Sequence, residues 1–524
     1  MHAGERGRQV SGILSRTPWA RAVGLRQSYL PPARGAEGVG TRVARGTLWS
    51  GLGVGAGALL QLVRSMVFAR LLLPADFGIV NLAAASTQFI LIFANFGFAA
   101  SVVHHENLDR RDLSTIWWGN IAVDVAAALA CCIVAAISDQ VSDHARLLPV
   151  VALLAVQFIF TSLGSVNAAL LLRTFRFREM AVAEFVGAVT TFAAGWVFMK
   201  VFHWGVYGLV GGMVLATAVT AVLNIAFLPW LPSFQFCRAS LKRHIRYGRW
   251  FLGVNLTTYV NVSADRFIIA KMLSTTQLGF YEYAGNIPMQ VVTRISQILN
   301  GVVFTTFASV QNDHAEARAL LRKFYRYNSL LTFPILVGIA LVAPEFVALA
   351  YGDTWTPIIP GVRLFCLYGV LLLYVQPMHS ICNGVGLQHL PMRWMLIYLP
   401  INLVLIVLGA RTGKLDGVVL ARSAMPIFVV FTLGVEVMRR ISVPWRTLFS
   451  ATVPALASCL VMSGAVMAVD RTLVSHQVGT MAHLALSASV GALAYAGMLA
   501  LFWRGDLVQL WGYFRHRRGG GSAS

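Results

Sequence analysis

Apolar runs of about 20 residues recur along this chain, separated by short polar breaks. A helix of that length crosses the ~30 Å hydrocarbon layer of a bilayer. Of 524 residues, 57% are hydrophobic and only 12% are charged, roughly half the charged share of a soluble domain. The expected fold is therefore an all-α polytopic membrane protein. Apolar length and breaks place about 14 transmembrane helices, six of them near 46–72, 79–103, 115–137, 147–172, 179–200 and 206–229. Six more fall near 246–273, 278–306, 327–350, 360–386, 390–410 and 415–438, and two near 448–469 and 481–503.

The formal charge of +21 would point to nucleic acid in a soluble protein. Its distribution points elsewhere. Thirty of the 42 Lys and Arg fall in the tails and in alternate connections, seven on the opposite side and five within helices. That bias is the positive-inside signature, with contact to anionic membrane lipids as its second use. It sets both termini in the cytoplasm and excludes a nucleic-acid partner. Residues 1–45 carry eight arginines and no apolar core of signal-peptide length, so they read as a disordered basic cytoplasmic tail. Residues 46–229 form an N-lobe, 230–245 a cytoplasmic linker and 246–438 a C-lobe. Two further helices occupy 439–503, and 504–524 is a second cytoplasmic tail. The basic segment Asp313 to Tyr327 can present Leu320, Leu321, Phe324 and Tyr325 on one face, as an amphipathic surface helix or as the extension of the next span.

The two lobes are related by a weak internal repeat, offset by about 200 residues. Ala69-Arg70-Leu71-Leu72 matches Ala270-Lys271-Met272-Leu273, Gly78 matches Gly279, and Trp49 matches Trp250. Arg64 falls opposite Asp265. Long repeats in a hydrophobic chain suggest two related halves, as in many secondary transporters.

Charges inside spans are costly and mark candidate sites. Here they are Arg64, Asp124, Glu184, Asp265, Arg266, Arg294, Arg363 and Arg422. Cations outnumber anions, which suits an anionic substrate, because Arg binds phosphate bidentately and stays charged. Arg64, Arg266, Arg294 and Arg363 are the substrate-binding candidates. Asp124, Glu184 and Asp265 are candidates for coupling to H+ or Na+. A structural alternative pairs Arg64 with Asp265 to lock the halves together. No GxxxxGK[ST] loop, HExxH or CxxC occurs, so no catalytic residue, cofactor or metal is expected.

Several stretches resemble one family. Asp265-Arg266-Phe267-Ile268-Ile269 through Gly279-Phe280-Tyr281-Glu282-Tyr283-Ala284 is similar to the D-x-x-x-I…LG-x-Y-x-x-A signature of polysaccharide transporters, or Wzx-type flippases. Arg70 to Gly78 resembles that family's first outer turn, and Val303 to Asp313 the end of its eighth helix, with Thr305 or Thr306 where proline is usual. Tyr351-Gly352-Asp353-Thr354-Trp355 resembles its outer loop, and Asn383 to Gly386 stands near its A-x-G.

The resemblance implies two six-helix lobes around a central cavity, plus two extra C-terminal helices. It implies a flippase, not an enzyme, that moves an undecaprenyl-pyrophosphate-linked oligosaccharide across the bacterial inner membrane for exopolysaccharide, capsule or O-antigen synthesis. A lipid-linked oligosaccharide is then the substrate, and the implied partners extend to a polysaccharide polymerase and a chain-length regulator. Its rivals are a cation-coupled multidrug exporter and a lipid II flippase of the same superfamily. From another class comes a membrane polysaccharide polymerase or ligase, which the short outer loops disfavour.

Overall fold

The computed structural model describes residues 55–94, 109–141, 147–174, 176–309, 314–384, 387, 389–441, 443–475 and 479–503. Both tails, and residues 310–313 and 385–386 of the quoted motifs, lie outside them. All regular elements among the described residues are helical. They are α1 (Gly55–Ala69), α2 (Pro74–Ala94), α3 (Arg110–Val141), α4 (Leu147–Arg173), α5 (Phe177–Lys200) and α6 (Val206–Phe227). There follow α7 (Arg238–Met272), α8 (Thr275–Ser309), α9 (His314–Leu341) and the short α10 (Ala343–Ala350). A 3₁₀ turn at Asp353–Ile358 leads to α11 (Ile359–Gly384) and α12 (His389–Arg411). The last three are α13 (Leu415–Arg440), α14 (Arg446–Ser475) and α15 (Thr480–Phe502).

Among the described residues, eleven helices are long and apolar enough to cross a membrane. Every expected span overlaps a helix, but α1, α7 and α8 are not among the eleven. Two boundaries differ for one reason. Helix α7 begins at Arg238 and not near 246, and α9 begins at His314 and not near 327. Hydropathy marks only the membrane-width part of a helix, whereas backbone hydrogen bonding continues through the basic extension. The segment from His314 to Tyr327 is thus the start of α9 and not a separate surface helix. The expected 327–350 span is two elements, because Pro344 opens α10. Proline lacks the N–H a continuing helix needs and disfavours the helical conformation before it.

The chain divides into two compact units. Among the described residues, one holds 55–72 and 79–260 and the other 73–78 and 261–503, so the division falls inside α7. In the first unit, α3 packs on α4, and both α4 and α5 pack on α6. Small residues set the α5–α6 approach: a Cβ on Gly212 would lie 2.8 Å from the Gly195 nitrogen. Such close backbones are how helices associate where lipid removes the hydrophobic drive between them.

In the second unit, α11 packs on α8, α9 and α13, while α14 joins α9 to α15. The turns before α2 and α8, related by the sequence repeat, touch each other within this unit. Ser274 caps α8, its Oγ accepting from the Gln277 N–H at 3.1 Å. Asp76 reaches back to accept from the Leu73 N–H at 3.2 Å. These are the two halves of a capping box, one at each turn. A Cβ on Gly78 would overlap the Thr275 carbonyl oxygen, and one on Gly279 the Pro74 carbonyl oxygen. Phe77, Tyr283 and the fully buried Trp355 pack edge-on and tilted beside the contact, with ring centroids 4.2–5.7 Å apart. The family-like motifs around Gly279 and Trp355 therefore meet in a packing cluster.

Helix α13 widens into a π turn at Val430–Gly434. Tyr398 of α12 services it: its hydroxyl accepts from the Leu433 N–H at 3.2 Å and lies 2.6 Å from Thr432 Oγ1. Tyr398→Phe strands a buried backbone donor and is expected to cost about 1–3 kcal/mol. Thermal unfolding of the purified variant checks this; an unchanged midpoint would mean the amide finds another acceptor.

Candidate functional site

The expected site charges are handled differently in the two units. In the first, Asp124 of α3 is buried and accepts a hydrogen bond from Ser162 of α4. Glu184 of α5 is exposed and lines a cleft of about 560 Å³ among α4, α5 and α6, with Gln157, Thr161, Ser165 and Asn224. Arg64 is half-buried on α1.

The second unit holds a polar network centred on Asp265. Asp265 of α7 is 3% exposed and pairs with Arg422 of α13, itself 18% exposed. Tyr281 of α8 donates its hydroxyl to Asp265 Oδ2 at 2.5 Å and accepts from Arg422 Nη1 at 2.9 Å. The Arg266 N–H closes on Asp265 Oδ1 at 2.9 Å. The Arg422 guanidinium also lies 5.4 Å from the centroid of the Tyr368 ring of α11, within cation–π range. Three helices are tied through one carboxylate. Its charge is met by a built-in cation, so a free ion reaching Asp265 must displace Arg422.

Beside it, Arg266 Nε donates to Glu282 Oε1 at 2.6 Å. The pair cancels the charge expected to face substrate. Arg294 is half-buried on α8. Arg363 of α11 is exposed, donates Nε to the Ala340 carbonyl at 3.2 Å and lines a cavity of about 590 Å³ with Asp470. The structure thus brings Asp265 and Arg266 into one polar patch, while Arg363 stands apart on its own cavity.

Sequence reasoning missed Tyr281, Glu282 and Tyr368, and it noted Arg422 without a partner. One signal was available for Glu282. Arg266 and Glu282 lie eight residues on either side of Ser274, the positions that face each other when two helices fold back across that turn. Nothing comparable pointed to Arg422, which is 157 residues from Asp265.

Over residues 67–360, more than half its length, the chain matches the family described as polysaccharide biosynthesis protein. It is 22% identical over 376 residues to the lipopolysaccharide biosynthesis protein WzxC of Escherichia coli (strain K12), covering 72% of this chain and 76% of that one. With the succinoglycan biosynthesis transport protein ExoT of Rhizobium meliloti (strain 1021) the identity is 23% over 487 residues, covering 91% and 96%. Among solved structures, the lipid II flippase MurJ in its inward closed conformation aligns with a TM-score of 0.69 at 14% identity, over 88% of this chain and 100% of that one. An inward-facing MATE family multidrug resistance transporter of the MOP superfamily aligns at 0.53 and 14%, over 78% and 97%. These structural likenesses bear on the fold alone. The chain is a multi-pass membrane protein with the MurJ-like fold, and it belongs to the polysaccharide biosynthesis protein family.

Proposed function

We propose that this protein is a flippase for a lipid-linked oligosaccharide in polysaccharide biosynthesis. The observation that carries the reading is the family match over residues 67–360, supported by relatives named for polysaccharide biosynthesis and transport. In its finer form, the substrate is an undecaprenyl-pyrophosphate-linked repeat unit, carried from the inner to the outer leaflet of a bacterial inner membrane by alternating access. Both termini are then cytoplasmic, and a polymerase and chain-length regulator act on the product.

In this reading Arg64, Arg294 and Arg363 supply the cationic contacts. Arg266 contributes only if Glu282 releases it. Asp124 and Glu184 are coupling candidates of a simpler kind, carboxylates with no ion-pair partner among the described residues, Glu184 open to a cleft and Asp124 buried against Ser162. Asp265 is a different kind, a carboxylate at which the coupling ion competes with Arg422.

Arg363→Ala is expected to weaken binding of lipid-linked sugar tenfold to a hundredfold, the loss of one charge-assisted contact of about 1.5–3 kcal/mol. Lysine keeps the charge but not the planar fork, so it restores the affinity only in part. Flipping of a labelled lipid-linked oligosaccharide in reconstituted vesicles is the test, run beside lipid II. Transport of lipid II with no transport of the oligosaccharide would replace this function. Normal flipping by the Arg363→Ala, Arg294→Ala and Arg64→Ala variants would remove the cationic contacts from it.

A further inference from the structure

Three side chains outside the Asp265 network converge within the second unit. Glu345 stands in the first turn of α10, Asp470 near the end of α14 and His483 in the first turn of α15. Both α10 and α14 pack on α15, which brings the three together. One donor atom from each lies within 4.8 Å of the other two. His483 is 9% exposed. Its Nδ1 is 3.5 Å from Glu345 Oε1 and its Nε2 is 2.9 Å from Asp470 Oδ1.

The contact at Nε2 has an unusual quality. It is short, yet the buried Nε2 makes no hydrogen bond, so the carboxylate oxygen lies off the axis along which an N–H would point. An imidazolium clamped by two carboxylates would align that axis with the oxygen. Two ligands of one metal ion need not align that axis. The ion takes the nitrogen's axis and the oxygen sits beside it, about 3.4 Å away for tetrahedral bonds of ~2.0–2.1 Å, so the 2.9 Å contact opens by about 0.5 Å when an ion enters.

We propose that Glu345, Asp470 and His483 form a binding site for a divalent transition-metal ion of the zinc class. One imidazole nitrogen and two carboxylate oxygens make a three-ligand set with a fourth position open; with Nε2 as the ligand beside Asp470, the Glu345 carboxylate, 3.5 Å from Nδ1, turns toward the ion on binding. Two carboxylates balance the ion's charge. Imidazole selects for zinc-like ions over Mg2+, which prefers six hard oxygens, and over alkali cations. Asp470, whose side chain is 49% exposed, also lines the 590 Å³ cavity and provides the route of entry. A bound ion would fasten α14 and α15 to α10. The three ligands come from separate parts of the chain, with no motif spacing to announce them.

The test uses the full-length protein in detergent, stripped with a chelator and titrated with Zn2+, with Mg2+ and Na+ as controls. Zn2+ is expected to bind at one ion per chain and to raise the unfolding midpoint, while the controls do not. Loss of a supporting partner alone costs metal sites about 10–100-fold in affinity. Loss of a ligand in His483→Gln or Asp470→Asn is therefore expected to cost at least that. Glutamine retains a hydrogen-bonding group at 483, so a purely hydrogen-bonded cluster would survive it. Asp470→Asn, at the half-exposed position, decides the matter where His483→Gln yields no folded protein. Absence of a Zn2+-dependent shift in the wild type would overturn the proposal. So would a shift of equal size in both variants, which would locate the ion elsewhere.

Discussion

Asp265→Ala is expected to lower stability by about 3 kcal/mol, the lower end of the 3–5 kcal/mol that follows from stripping a buried ion pair of one partner. The lower end applies because Arg422 keeps the Tyr281 hydroxyl and the Tyr368 ring as partners. The missing side chain itself contributes little, since only a small void is left. The cost lies in Arg422, whose Nε already lacks a hydrogen-bond partner and whose remaining neighbours are the Tyr281 hydroxyl and the Tyr368 ring. Replacing both members, as in Asp265→Ala with Arg422→Met, removes the stranded charge and is expected to recover most of the loss. Thermal unfolding of the single and double variants measures this, and a destabilised double variant would show that the pair does more than cancel charge. Transport by the double variant separates two roles. Retained gradient-driven flipping makes the pair structural; a stable protein that no longer responds to the gradient makes it the coupling element.

Gly279→Ala is expected to cost more than about 3 kcal/mol, beyond the usual 1–3 kcal/mol range for an overpacked core. The ordinary effect of this substitution in a helix has the opposite sign, a gain of about 0.5–1 kcal/mol. Here the new Cβ would overlap the Pro74 carbonyl oxygen and lie 2.8 Å from its carbon. Those atoms belong to backbone in the first turn of α2 and cannot rotate aside as a side chain would. Gly78→Ala meets the Thr275 carbonyl in the same way. Gly338→Ala on α9, with nothing within 4 Å of its Cβ, is the matched control and should be neutral or better. Equal yields and unfolding midpoints for all three variants would mean the two turns separate at little cost.

Membrane class was legible because run length and charge bias do not depend on how helices pack. Helix ends were less so, since α7 and α9 extend through basic residues that hydropathy discounts. The repeat between Gly78 and Gly279 was visible as a match of letters. That the two glycines are matched because their backbones touch is a tertiary fact. Asp265 stood out as a costly charge in an apolar run, and the structure explains how that cost is met. Its partner could not be read, because depth in a span says nothing of which face a residue presents. Arg266 was read as a free cavity cation for the same reason, and Glu282 across the turn claims it. The His483 cluster left no trace at all, as its members come from three separate elements.

The π turn in α13 has a geometric consequence for that helix. Fourteen residues separate Arg422 from Glu436, close to four whole turns at 3.6 residues each, so a regular helix would stack the two on nearly one stripe. A π turn carries one extra residue, which sets the phase back by about 100° at that point. Arg422 can then look toward α7 and α8 while Glu436 engages Arg393 and Trp394 of α12. The wide turn works as a phase shifter. It lets one helix serve two partners on different sides, and the Tyr398 hydroxyl holds the offset in place.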